Sequence, residues 1–148
     1  MTQTVFYSAV THVLTEGSKS AYSQHAGTAL DDYFISSPLG MHPNMNFGQI
    51  VRGPGQKGQQ GTFTGILDLR GIVRIINGVL VLRAAGGDAW SKPRDDGFRA
   101  WTLSYVNWLQ SNSAAKQAAA SPKSVVSTRT LCSAQVLIVI IAIMEHSS

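Results

Sequence analysis

The residues best equipped for chemistry gather between positions 42 and 61. Asn44, Asn46, Gln49, Gln56, Gln59 and Gln60 surround Phe47, with Arg52 among them. Amide side chains carry both donors and acceptors, which suits the hydroxyls of a sugar, and a guanidinium suits a carboxylate. Trp90, Trp101, Tyr105 and Trp108 add flat apolar faces on which a pyranose ring can rest. The bland alternative stands beside it and is the commoner meaning of such a stripe. Trp101, Tyr105 and Trp108 share one helical face, and an aromatic stripe at that spacing commonly belongs to a core. Other chemistry finds little support. The histidines at 12, 25, 42 and 146 are too dispersed for a ligand cluster, and a single cysteine, Cys132, excludes both an internal disulfide and a cysteine-based zinc site. The glycine-rich Gly53-Pro54-Gly55-Gln56-Lys57-Gly58-Gln59-Gln60-Gly61 lacks the closing Gly-Lys-Ser/Thr of a phosphate loop. No cofactor and no metal is expected, and no catalytic residue can be named from spacing alone.

The elements that must hold these residues read as helices. From Thr4, the residues Phe6, Ala9, Val10, Val13 and Leu14 recur at three- and four-residue spacing, and Gly17 supplies a left-handed stop. Ser18 or Ser20 can cap a second helix whose stripe is Tyr22, Ala26, Ala29, Leu30 and Tyr33. A short connection between two amphipathic stripes predicts an antiparallel helical hairpin. From Ser36 to about Gly61 the periodicity vanishes among prolines and glycines, and the aromatic and amides there favour a built loop over a linker. Gly65 to Ala85 reads as a buried helix, with 69, 72, 73, 76 and 80 as its apolar stripe and with Asp68 and Arg83 placed to suit the helix dipole. After a turn containing Gly86-Gly87-Asp88 and Pro93, Asp95 or Asp96 opens a further helix with Phe98, Trp101, Tyr105, Trp108 and Leu109 on one face. That helix is expected to run through Ala114–Ala120 and stop at Ser121-Pro122.

Composition sets the bounds. The 148 residues are 44% hydrophobic and 14% charged, enough for one domain with a buried core. The net charge of +4 comes from 12 Lys+Arg against 8 Asp+Glu, with no basic run. Such a balance fits an anionic ligand better than nucleic acid, which brings a clustered basic stripe. No signal peptide is visible at Met1-Thr2-Gln3-Thr4. Beyond Pro122 the sequence changes character: residues 123–133 are polar, and Val136 to Met144 is an unbroken apolar run. Nine residues are too few to span a bilayer core of roughly 30 Å as a helix, so the run is expected to be a strand or a self-associating segment.

Three ordered segments carry a family resemblance. His42-Pro43-Asn44-Met45-Asn46-Phe47-Gly48-Gln49 resembles the Asn/His-Pro-x-x-x-Tyr/Phe-Ala/Gly-Gln motif of the alginate lyase domain family. The glycines through Gly61 and Gly65, followed by Ile66-Leu67-Asp68, resemble its Gly-Arg-Gly-x-Gly-Ile-Ile-Asp stretch. The segment from Phe98 to Leu109 resembles its Trp-Phe-x-x-Tyr-x-x-Trp-Leu helix, and the form is most similar to fungal members. The resemblance covers roughly residues 5–122. It implies an all-α fold, an incomplete (α/α) toroid of antiparallel helical hairpins of the chondroitin AC/alginate lyase kind. It also implies a secreted polysaccharide lyase that cleaves an anionic uronate polymer by β-elimination.

On this resemblance Asn44 and Gln49 are the sugar-contact candidates, and Arg52 is the candidate carboxylate partner. The resemblance places a carboxylate-neutralising Asn-Asn-His after the aromatic helix, where this chain reads Lys123-Ser124-Val125. The expectation is therefore a partial lyase domain over residues 1–122 with a divergent tail over 123–148, truncated and inactive by itself. A non-catalytic carbohydrate-binding fragment is the alternative.

Overall fold

A computed structural model describes residues 2–16, 20–36, 38, 40–46, 71–86, 89–113 and 116. Among these residues the regular structure is entirely helical. Helix α1 spans Thr2–Leu14, α2 spans Ser20–Leu30, α3 spans Ile72–Ala85 and α4 spans Lys92–Ser111.

Helix α1 leaves its axis at Glu16, which takes the left-handed conformation (φ 52°) and donates its N–H to Val13 O at 2.9 Å. The left-handed turn expected at Gly17 therefore begins one residue earlier, and Gly17 itself lies outside the described residues, as does Ser18. Helix α2 then returns alongside α1. It passes directly into a π-helical turn, Asp31–Ile35, where Ser36 N–H reaches back five residues to Asp31 O. This wider turn rotates Phe34 into the core, while Tyr33 stays half exposed.

The buried faces of the first three helices overlap the expected stripes only in part. In α1 the buried set is Val5, Ser8, Ala9 and His12, whereas Leu14 is 77% exposed and Val13 46% exposed. In α2 it is Ser23, Ala26, Gly27 and Leu30, so Ala26 and Leu30 of the expected stripe are buried while Tyr22 and Ala29 are half-buried and Tyr33 is exposed. In α3 it is Ile72, Ile75, Ile76, Gly78, Val79 and Leu82, so the expected 73 and 80 lie at the margin of the face. The cause is close packing. A Cβ on Gly78 would stand 3.2 Å from the Phe6 Cα and 3.1 Å from Val5 Cγ1, so α1 and α3 approach at nearly backbone distance. At Gly78 the absence of a side chain lets the two helices meet, with Ile75, Ile76, Val79 and Leu82 buried around that contact.

Helix α4 starts at Lys92 with Pro93 in its first turn, where a missing N–H costs no helix bond. The expected start at Asp95 or Asp96 is thus too late by one turn. The helix ends at Ser111, because Asn112 is extended (ψ 134°), so it does not run on unbroken into the alanine-rich segment. The expected span Gly65 to Arg70, including Asp68, lies outside the described residues, and so does everything from residue 117 onward.

Contacts fix the relative directions. Phe6 meets Gly78, and His12, Val13 and Glu16 share a cleft with Ala85, so α1 and α3 run parallel. Gly27 lies under the Arg94 guanidinium, Ile35 meets Gly97, and Phe34 packs edge-on against Phe98 and Trp101. The chain from α2 onward therefore advances in step with α4. With α2 returning along α1, the four helices alternate in direction along the chain, α1 and α2 forming one packed hairpin.

Two ion pairs fasten this arrangement. Arg94 grips Asp31 with both Nε (2.9 Å) and Nη2 (2.7 Å), tying the π-helical turn to α4. Hydrogen bonding to Asp31 holds the Arg94 guanidinium above its ordinary pKa, against the opposing pull of burial. At the α3–α4 corner, Asp95 accepts from both Arg83 Nε and Trp90 Nε1.

Candidate functional site

The stretch from Met41 to Asn46 lies along the aromatic face of α4 and is bonded to it at both ends. At its base, Trp101 Nε1–H donates to Met41 O at 2.6 Å, and Met41 N–H donates to Tyr33 O at 2.7 Å. At its far end, Trp108 Nε1–H donates to Asn46 Oδ1 at 2.7 Å. Within the loop, Asn44 N–H donates to His42 O at 2.7 Å, and Asn46 N–H donates to Asn44 Oδ1 at 3.2 Å. Seven residues of helix, about 10 Å of rise, separate the two indoles that hold the loop. The expectation of a built loop is met over residues 40–46; Phe47 to Arg70 lie outside the described residues.

The aromatic stripe behaves mainly as core. Trp101 and Tyr105 are 7% and 4% exposed, and Trp108 is half-buried. Their rings stack in series along the helix, 5.5 Å from Trp101 to Tyr105 and 5.8 Å from Tyr105 to Trp108, with interplanar angles near 20°. A sugar platform made of all three rings is therefore excluded, because two of them are covered. Trp90 is half-buried with its N–H committed to Asp95, so it belongs to the α3–α4 corner. Burial pushes the Tyr105 phenol up to about 12, which keeps it protonated through the neutral range and removes it as a phenolate base.

Of the three expected sugar-contact residues, Asn44 is described. It is half-buried on the loop, with its side-chain oxygen already engaged. Gln49 and Arg52 lie outside the described residues. The spacing argument gave no role to Asn46 or Met41, although Asn46 stood within the amide cluster. The pairing of an Asn with a tryptophan 62 positions away leaves no signal in one sequence. Elsewhere, a cleft of about 230 Å³ lies between the C-terminal ends of α1 and α3, lined by His12, Val13, Glu16 and Ala85. His12 is buried there, with no hydrogen-bond partner for Nδ1 among the described residues. No three metal-ligating side chains converge among the described residues, and no described helix is long and apolar enough to cross a membrane.

Comparison with known proteins gives the class. The alginate lyase family model matches residues 7–123, a span that includes most of α1, the other three helices and the clamped loop, and the chain belongs to that family. A crystal structure of an alginate lyase from Bacteroides ovatus superposes with a TM-score of 0.75 at 18% identity, covering 98% of this chain and 37% of that one. The fold is accordingly the all-α toroid of helical hairpins, and this chain spans little more than a third of the length of that structure. No curated protein matches the sequence.

Proposed function

We propose that this chain takes its function from a polysaccharide lyase that cleaves uronate polymers by β-elimination, and that the clamped loop is a substrate subsite. In that reaction the C6 carboxylate is neutralised, a base removes the C5 proton, and the C4 oxygen leaves with a proton from an acid, producing a 4,5-unsaturated sugar. The C5 proton is very weakly acidic beside an ionised carboxylate, so donors to that carboxylate are the first requirement. The observation that carries the subsite reading is the loop of amides fixed to α4 by Trp101 and Trp108, inside the span matched by the family. Asn44, Gln49 and Arg52 are the proposed contacts, with Arg52 facing the carboxylate. An anionic polysaccharide is the proposed partner and the extracellular space the proposed location.

Residues 1–122 form the proposed lyase-like part and 123–148 a divergent tail. The family resemblance puts the Asn-Asn-His that neutralises the carboxylate where this sequence reads Lys123-Ser124-Val125. The 148-residue chain alone is therefore expected to release no unsaturated product from polymannuronate, followed by its ultraviolet absorbance; clear release would overturn that expectation. Calorimetry tests the subsite. Oligomannuronate is expected to bind weakly, to lose affinity as salt rises, and to bind less well to Gln49→Ala and Arg52→Ala. Undiminished affinity in both variants would move the binding elsewhere. The amide-rich loop also favours a second reading, a carbohydrate-binding piece with no catalytic step, which the same pair of measurements separates from a competent lyase.

A further inference from the structure

Helix α3 sets an exposed asparagine directly before a glycine that the packing keeps without a side chain. Asn77 faces solvent, and Gly78 is buried against α1, where an added Cβ would stand 3.1 Å from Val5 Cγ1 and 3.2 Å from Phe6 Cα. Asn44, Asn46, Asn107 and Asn112 precede Met45, Phe47, Trp108 and Ser113, so Asn77 alone in the chain precedes glycine. The pairing matters chemically. A glycine nitrogen is unhindered and its backbone freely adopts unusual dihedrals, so it can close a five-membered ring on the side-chain amide carbon of the asparagine before it.

We infer that Asn77–Gly78 is a spontaneous deamidation site that the α1–α3 contact holds shut. In the reaction the Gly78 nitrogen loses its proton and attacks Asn77 Cγ. The new C–N bond forms, the Cγ–NH₂ bond breaks, and ammonia leaves. Water then opens the resulting succinimide at either carbonyl, giving aspartate or its β-linked isomer, whose main chain runs through the side-chain carbon. Neither step changes an oxidation state, and water is the co-reactant. Inside α3 the first step is blocked. The helix bonds the Gly78 N–H to Arg74 O, and its ψ of about −42° turns that nitrogen away from Cγ. The site therefore reacts from the fraction of molecules in which α3 has opened. The two products differ in consequence. Aspartate at 77 stands one turn after the exposed Arg74, a favourable pairing on the helix surface. The β-linked isomer lengthens the main chain by a methylene, breaks the register of α3 and carries Gly78 off Phe6, so an opening that ends in it is not reversed.

The test incubates the full-length chain in mildly alkaline buffer, with urea stepped through the unfolding transition. It follows the tryptic peptide 75–83, in which Asn77 is the sole asparagine. Mass spectrometry reads the change from amide to acid, and enzymatic isoaspartate methylation reads the β-linked product. The rate should be roughly a hundredfold or more slower in buffer than in full urea, and between the two should follow the unfolded fraction read from the helical signal. Val5→Ala loosens the contact without touching the dipeptide. It should raise the rate in buffer about tenfold and leave the rate in urea unchanged. Asn77→Asp should keep its helical signal, whereas chain aged to the β-linked form should lose part of it. A rate as fast in buffer as in urea, no product in urea, a folded Val5→Ala chain that deamidates no faster, or an aged chain as helical as Asn77→Asp would each overturn the inference. Should Val5→Ala fail to fold, the urea series on the unaltered chain decides.

Discussion

Tyr105 sits between the indoles of Trp101 and Trp108 with its ring almost wholly covered, and its phenol titrates at about 12 instead of 10.0. A raised folded-state pKa on a group that is neutral below it means that folding favours the protonated form. The contribution is complete below pH 10 and is lost as pH rises from 10 towards 12, a change of about 2–3 kcal/mol. Urea unfolding at stepped pH should show this loss in the wild type and a much flatter profile over that window in Tyr105→Phe. Equal slopes would mean that the phenol ionises without opening the stack. The aromatic pattern at 101, 105 and 108 was legible in the sequence, but which of its two meanings applied was not. Periodicity locates a face and does not say whether a loop covers it. The covering loop is held by single hydrogen bonds to residues about sixty positions away, a pairing that no local rule encodes.

At the scale of elements, the sequence identified the four α-helices that the structure describes, drew the face of α4 correctly and drew the other three faces only in part. Large apolar side chains such as Leu14, Tyr22 and Tyr33 dominate a stripe drawn by eye. The contact line keeps Ala9 and Ala26 of those stripes but also runs through Gly27 and Gly78, where other elements come close enough to exclude bulk. Gly78→Ala makes the point measurable. Alanine gains about 1 kcal/mol of helix propensity over glycine, yet its Cβ would press on the α1 backbone at Phe6, which moves only if the whole helix moves. Overpacking of this kind costs typically 1–3 kcal/mol, so a net loss of about 1 kcal/mol is expected in the urea midpoint, opposite in sign to an exposed glycine-to-alanine change. The corner between α3 and α4 makes a second case. Asp95→Ala removes the acceptor shared by Arg83 and Trp90 and leaves a half-buried guanidinium without its carboxylate, which should cost about 2–4 kcal/mol in the same assay. Arg83 at the end of its helix was foreseen from the dipole; its partner 12 residues on was not.

The whole molecule carries apolar surface that a complete ring of hairpins would use. Tyr7 and Leu14 on α1 are 61% and 77% exposed, and Leu103 on α4 is 43% exposed. Each hairpin of such a fold buries its faces against its neighbours. To this the sequence adds the apolar run Val136 to Met144, whose burial is worth on the order of 10 kcal/mol before ordering costs. The full chain is expected to self-associate and a chain lacking residues 123–148 to do so less, which light scattering on the two decides. A monodisperse, monomeric full-length chain would show that the run is satisfied within its own fold. The tryptophans offer a way to watch such events at separate places. The chain has three, and each indole N–H is committed to a different tie: Trp90 at the α3–α4 corner, Trp101 at the base of the loop and Trp108 at its tip. Their three indole proton resonances are thus native reporters of three distinct junctions. Their exchange with deuterated water would give the order in which corner, loop base and loop tip come apart, without a single label being introduced.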